Sequence, residues 1–195
     1  MQFKFLRSHY QDLIHEYKVD VESLIPFGLL KEIKQTYLDN YKEVKLKHNQ
    51  ANISLGSFDH LREYSLNVDD KLKKLIEKFY VVENNFGRGN CSVYYSNKNM
   101  GVYDFHDHYK PGGGGSIGAV FYWTNIKEGD GGEISFKRPH LPEYKIFPKN
   151  HTLYTFPYWL AHKPNPVEGE GERFCFNWNY ISNNRVVHKI IGSVW

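Results

Sequence analysis

Hydrophobic and polar positions divide the chain into two textures. Residues 28 to 43, GLLKEIKQTYLDNYKE, carry Leu30, Ile33, Tyr37 and Tyr41 at helical spacing with lysines and glutamates opposite. That spacing predicts a helix packing through one face. A second helix is expected from Asp69 and Asp70, which read as cap candidates, through Leu72, Leu75, Ile76 and Phe79. From Val81 onward, short aromatic and β-branched runs are cut by Gly, Asn and Pro. The candidate strands are CSVYYS, GVYDFHDHY, IGAVFYW, EISF, YKIF, HTLYTF and RFCFNWNYI. The pattern predicts a mainly β protein with flanking helices, read as one domain over 1–195. Residues 1–80 are expected to be mostly helical support, and 81–195 the β core that carries the site.

Composition changes this picture little. A chain of 195 residues suits one domain with a substantial core, and 16% aromatic residues favour sheet faces. The net charge of +3 is mild, and its basic residues are dispersed as in KEIKQ and KLKKL, which leaves a nucleic-acid role open. The opening MQFKFLRSHYQDLIHEY alternates polar and apolar residues, unlike a signal peptide, and no span reaches transmembrane length. Cys91 and Cys175 are too few for a disulfide framework. A cytoplasmic protein with two free thiols and no membrane partner is expected.

The candidate chemistry lies in VYDFHDHYKPGGGGSIGAVFYW, residues 102–123. In an extended strand, alternation puts Asp104, His106 and His108 on one face and Phe105 and Asp107 on the other. Two imidazoles so placed can reach one ion, although the spacing alone also arises in exposed surface strands. His162, after the apolar FPYWLAH, adds a third. The run PGGGG, residues 111–115, lacks the Gly-Lys-Ser/Thr ending of a phosphate loop and reads as a flexible loop at a site mouth. On RFCFNWNY, alternation puts Arg173, Cys175, Asn177 and Asn179 on one face and Phe174, Phe176, Trp178 and Tyr180 on the other. GDGGEISF, residues 129–136, reads as a turn in which Gly131 and Gly132 supply positive φ or close backbone approach.

From about Tyr95 to Tyr180 the chain resembles the iron(II)- and 2-oxoglutarate-dependent oxygenases, in particular their prolyl-hydroxylase-like and bacterial and phage members. The resemblance rests on FHDH, AVFYW, GDGGEISF, FPYWLAH and GERFCFNW in that order. It implies a double-stranded β-helix core of the jelly-roll, cupin-like kind. It also implies a facial set of three ligands for Fe(II), with 2-oxoglutarate as cosubstrate and dioxygen as the second partner. Carried over, the pattern puts His106 first and His162 last among the ligands. The middle position, aspartate in the usual H-x-D, is His108 here. Asp104 and Asp107 rank behind it as alternative middle ligands that would restore the missing negative charge.

The same resemblance implies that Arg173 anchors the far carboxylate of 2-oxoglutarate, for which a guanidinium offers paired donors. Tyr122 is expected on that carboxylate, with Tyr95 assisting and Asn177 lining the site. Cys175 stands where relatives often have serine. The implied activity is hydroxylation of a peptidyl or small amino-acid-like substrate with release of succinate and carbon dioxide. Competing readings are a nucleobase-modifying oxygenase, a three-histidine cupin-like metalloenzyme without 2-oxoglutarate, and a carbohydrate-binding β-sandwich. Arg173 with Tyr122 argues against the second of these, and the ordered motifs against the third.

Overall fold

The computed structural model describes residues 3–20, 28, 30–36, 38–39, 52–54, 59–82, 92–98, 104–108, 117–180 and 186–190. In chain order its strands are β1 (Phe3–His9), β2 (Ile14–Val19), β3 (Asn52–Ser54), β4 (Tyr80–Val82), β5 (Ser92–Ser96) and β6 (Ile117–Thr124), followed by β7 (Ile134–Lys137), β8 (Tyr144–Ile146), β9 (Thr152–Pro157), β10 (Ala161–Pro164), β11 (Arg173–Tyr180) and β12 (Val186–His188). Two helices are described, α1 within 28–39 and α2 (Asp59–Phe79). A seven-stranded antiparallel sheet runs β1-β2-β9-β6-β11-β5-β3. Opposite its central part stands a three-stranded sheet, β10-β7-β8, and β12 pairs with β4. The two facing sheets form the expected jelly-roll.

Strand position explains the apolar runs. β6 lies between β9 and β11, and IGAVFYWT is buried along nearly its whole length because both faces are covered. The inner face of β6 and β11 carries Tyr122, Arg173, Cys175 and Asn177, while Phe121, Phe174, Phe176 and Trp178 point to the outer face. The outer face meets the helices. Phe79 of α2 packs on Tyr17 of β2 at a centroid distance of 5.0 Å, and Lys34 of α1 reaches Glu172 and Tyr95. Ile33, Leu72, Leu75 and Ile76, the apolar stripe read from helical spacing, join this core.

Two expectations need correction, and one is extended. To the helices expected in residues 1–80 the structure adds strands, because β1 and β2 form a hairpin that extends the large sheet and pairs with β9. The alternation at the start of the chain is a strand period, and the turn uses left-handed conformations at Tyr10, Gln11 and Asp12. The second helix begins at Asp59, so Asp69 and Asp70 lie inside it; helical spacing continues upstream through Val68, Tyr64 and Leu61 with no Gly or Pro to stop it. GVYDFHDHY is not a regular strand over its described part, 104–108, where only His106 pairs as an isolated bridge. Tyr37, Tyr41, Cys91 and the run 111–115 lie outside the described residues.

The hairpin carries a polar network into the outer core. His15 Nδ1 lies 2.6 Å from the Tyr80 hydroxyl, which bonds Tyr17 and Thr155, and the Tyr17 hydroxyl lies 2.9 Å from His188 Nε2. The rings of His15 and His188 are 4.2 Å apart between centroids. Burial holds His15 down to about 3, with His188 and His9 adding to the shift and the Asp12 carbonyl opposing it. Burial holds His188 down to about 4. Both are neutral in the folded protein at pH values where the unfolded chain protonates them. The unfolded state therefore binds more protons between about pH 6.5 and pH 4, and stability falls as pH falls through that window. Urea unfolding at pH 7 and pH 5.5 is expected to show a lower midpoint at pH 5.5, with a steepest slope of roughly 1.4 kcal/mol per pH unit per histidine. His188→Gln should make that dependence shallower.

Candidate metal centre and adjoining pocket

His106 and His162 come from distant segments joined by two backbone hydrogen bonds. The His106 N–H donates to the His162 carbonyl at 3.1 Å, and the His162 N–H to the His106 carbonyl at 2.9 Å. The chain then turns so that the His108 N–H donates to the Tyr158 carbonyl at 3.1 Å. One ring nitrogen from each of the three histidines lies within 4.8 Å of the others. This matches the reach of three imidazoles toward one transition-metal ion.

Neighbouring carbonyls orient two of these rings. His106 Nδ1 is 3.0 Å from the Asp104 carbonyl and His162 Nδ1 is 2.8 Å from the Leu160 carbonyl. A carbonyl only accepts, so each Nδ1 carries a proton, and in the neutral ring the lone pair is then on Nε2. Burial lowers His162 to about 3, with His106 and His108 adding to the shift against the Leu160 carbonyl. Burial and His106 lower His108, against the pull of Asp107. Neutral imidazole is the form that ligates. Asp104 and Asp107 are exposed and stand outside the cluster. Asp104 contributes its main-chain carbonyl, as an orienting group for His106.

The cluster opens into a cleft between the sheets. Its lining includes Tyr122, Arg173, Cys175 and Asn177, as alternation predicts. Arg173 is 1% exposed. Its Nη1 donates to the Gly132 carbonyl and its Nη2 to Ser96 Oγ at 3.3 Å, and Nε has no hydrogen-bond partner among the described residues. Among the described residues no carboxylate pairs with it. Gly131 and Gly132 have φ of 74° and 79°. A Cβ on Gly131 would sit 2.5 Å from the Pro166 carbonyl, so the turn presenting the acceptor for Arg173 requires glycine.

Tyr122 is fully enclosed and lies across the strand pair from Cys175. Burial raises its hydroxyl well above the ordinary tyrosine range, and Cys175 adds to the shift. Desolvation pushes the Cys175 thiol up to about 12, against Arg173 and Tyr122, so the thiol stays protonated. Its sulfur donates to Asn177 Oδ1 at 3.1 Å.

Tyr95 is not in this pocket. It occupies the outer face of β5, where its hydroxyl donates to Glu172 at 2.8 Å under Lys34. The inner face presents Ser92, Tyr94 and Ser96 instead. Register decides this, because Ser96 pairs with Arg173 and Tyr94 with Cys175, so odd and even positions separate across the sheet. Sequence reading missed Tyr94, Ser96 and the Gly132 carbonyl; alternation along SVYYS would have found the first two once the pairing with Arg173 was known.

No family model matches the sequence, and no curated protein matches it. Solved structures do. A prolyl hydroxylase from Trichoplax adhaerens, in complex with a hypoxia inducible factor oxygen degradation domain peptide fragment, superposes with a TM-score of 0.60 at 16% identity, over 87% of this chain and 84% of that one. A Pseudomonas putida prolyl-4-hydroxylase gives 0.59 at 14% identity, over 88% and 93%. HygX from Streptomyces hygroscopicus, with nickel and 2-oxoglutarate bound, gives 0.61 at 11% identity, over 87% and 83%. The fold is that of the 2-oxoglutarate oxygenases. At these identities the likeness concerns the oxygenase fold, and the chemistry rests on the residues in the cleft.

Geometry ranks the metal ligands. In Co(II) titrations, His108→Ala is expected to lower affinity by more than about 100-fold, whereas Asp107→Ala and Asp104→Ala stay within about threefold of the parent, since neither side chain joins the cluster.

Proposed function

We propose that the protein is an Fe(II)- and 2-oxoglutarate-dependent dioxygenase that hydroxylates a peptidyl or small amino-acid-like substrate. The observation that carries this reading is Arg173, a buried guanidinium whose Nε has no partner among the described residues, in the same cleft as three converging imidazoles. A buried cation without a counterion is costly, and a carboxylate from a bound ligand offsets that cost through charge-assisted hydrogen bonds.

His106, His108 and His162 would hold the iron, which with 2-oxoglutarate and dioxygen supplies oxidative decarboxylation to succinate and carbon dioxide coupled to substrate hydroxylation. The protein's own residues bind and orient. Arg173 holds the distant carboxylate, its guanidinium fixed by Gly132 and Ser96. Tyr122 stands on the adjacent strand as a protonated donor to the same group. Phe156 and Ile134 are apolar lining residues of the cleft, with the Phe156 ring against that of His162. Asn177, Asn179 and Ser92 line it with uncharged hydrogen-bonding groups, which suit an amide-bearing substrate. Support for a peptidyl substrate also comes from the prolyl hydroxylases among the structural neighbours, one of which holds a peptide. Among the described residues no helix is long and apolar enough to cross a membrane.

Purified protein given Fe(II), 2-oxoglutarate and air is expected to form succinate, with uncoupled turnover detectable before the substrate is known. Iron binding with neither succinate nor a visible charge-transfer band under anaerobic 2-oxoglutarate would sink the proposal. Arg173→Ala should weaken 2-oxoglutarate binding by about 100-fold or more while leaving Co(II) affinity near the parent value, in line with the 2–5 kcal/mol lost when one partner of a buried charge pair is removed. Tyr95→Phe, on the other face of β5, should leave 2-oxoglutarate affinity unchanged, whereas Tyr122→Phe lowers it several-fold.

A further inference from the structure

The charges lining this cleft are unbalanced once it is filled. All three candidate metal ligands are histidines, whose imidazoles add no charge when they ligate a metal, and the described lining contains no aspartate or glutamate. Its only permanently charged side chain is Arg173. Glu172, next in sequence, belongs to the outer face and is tied to Lys34 at 2.6 Å and to Tyr95 at 2.8 Å. Asp104 and Asp107 flank the cluster but are exposed to solvent, which screens them. A divalent ion and Arg173 together bring three positive charges, and 2-oxoglutarate brings two negative ones. Among the described residues one positive charge then remains uncompensated, in a cleft whose lining residues are all buried or half-buried. With aspartate at the middle ligand position the same site would be neutral.

Resting on the function proposed above, we infer that the loaded site binds one further monoanion, with His108 as the residue that creates the requirement. The ligand class is a small group of single negative charge, a carboxylate or a halide, next to the metal and the cosubstrate. A substrate carrying a carboxylate would be selected on this ground over a neutral one of the same shape, since an uncompensated charge of low solvent access is costly. A free inorganic anion meets the same need. The lining offers donors suited to either, in the Asn177 and Asn179 amides, the Ser92 hydroxyl and the Tyr94 phenol.

The test uses the full-length protein loaded with Co(II) and saturated with 2-oxoglutarate at pH 7, with the visible Co(II) bands as readout. Formate and chloride are titrated separately. The parent protein is expected to give a saturable spectral change with 2-oxoglutarate still bound. His108→Asp, which supplies the missing charge, should bind the same anions at least about tenfold more weakly, the factor that 1.4 kcal/mol represents. His108→Asn keeps the position neutral and should retain anion binding, which separates charge from loss of the imidazole. Tighter formate than chloride points to a substrate carboxylate, and the reverse to a halide; either result supports the inference. Equal affinity in parent and His108→Asp overturns it, as does displacement of 2-oxoglutarate by formate. If 2-oxoglutarate changes the Co(II) spectrum but neither anion does, the inference falls and the oxygenase reading stands. If 2-oxoglutarate itself leaves the spectrum unchanged, both fall.

Discussion

The paired backbone hydrogen bonds between His106 and His162 are the constraint on which the site depends. Three imidazoles converge only if their Cα atoms are held at fixed separations, which takes packing and supporting hydrogen bonds together. Here the short segment carrying His106 and His108 is clamped to β10 and to the Tyr158 carbonyl, while β10 is held by its ladder with β7. The Nδ1 hydrogen bonds to Asp104 and Leu160 then set ring orientation, so that main chain, from two directions, places and aims the nitrogen atoms.

Arg173 shows the same economy at the other end of the cleft. β11 lies between β6 and β5, so its inner face is flanked by Tyr122 on one side and by Tyr94 and Ser96 on the other. Its guanidinium is steadied by a carbonyl from a turn whose two left-handed glycines tolerate no side chain. A turn that reads in sequence as a simple connection therefore has a positional role. The fully buried arginine keeps donor capacity that no described residue uses, and the proposed carboxylate binding draws on it.

What was legible in the sequence follows from periodicity. The runs of β6, β9 and β11 are apolar because central strands of a covered sheet are buried on both faces, and the alternation of RFCFNWNY separates pocket from core without knowledge of the fold. The hairpin β1–β2 is hard to read because its buried positions include His15 and Glu16, on opposite faces of β2. These buried polar residues are satisfied by Tyr80 for His15 and, within the hairpin, by Arg7 and His9 for Glu16. Tyr95 was misplaced for a related reason. Two adjacent tyrosines in SVYYS are equivalent to a sequence reader, and only the pairing of Ser96 with Arg173 says which one faces inward.

By itself, then, the sequence determined the β-rich class, the faces of its longest strands and the residue types able to ligate a metal and hold a carboxylate. Those properties are local: they depend on the two-residue repeat of a strand and on side-chain chemistry. The tertiary structure decided that His108, not Asp107 or Asp104, converges with His106 and His162, that Tyr94 replaces Tyr95 in the cleft, and that no acid among the described lining residues balances Arg173. Those properties depend on register between strands remote in sequence and on which segments share an enclosed space. Neither is written in the order of residues along any one strand.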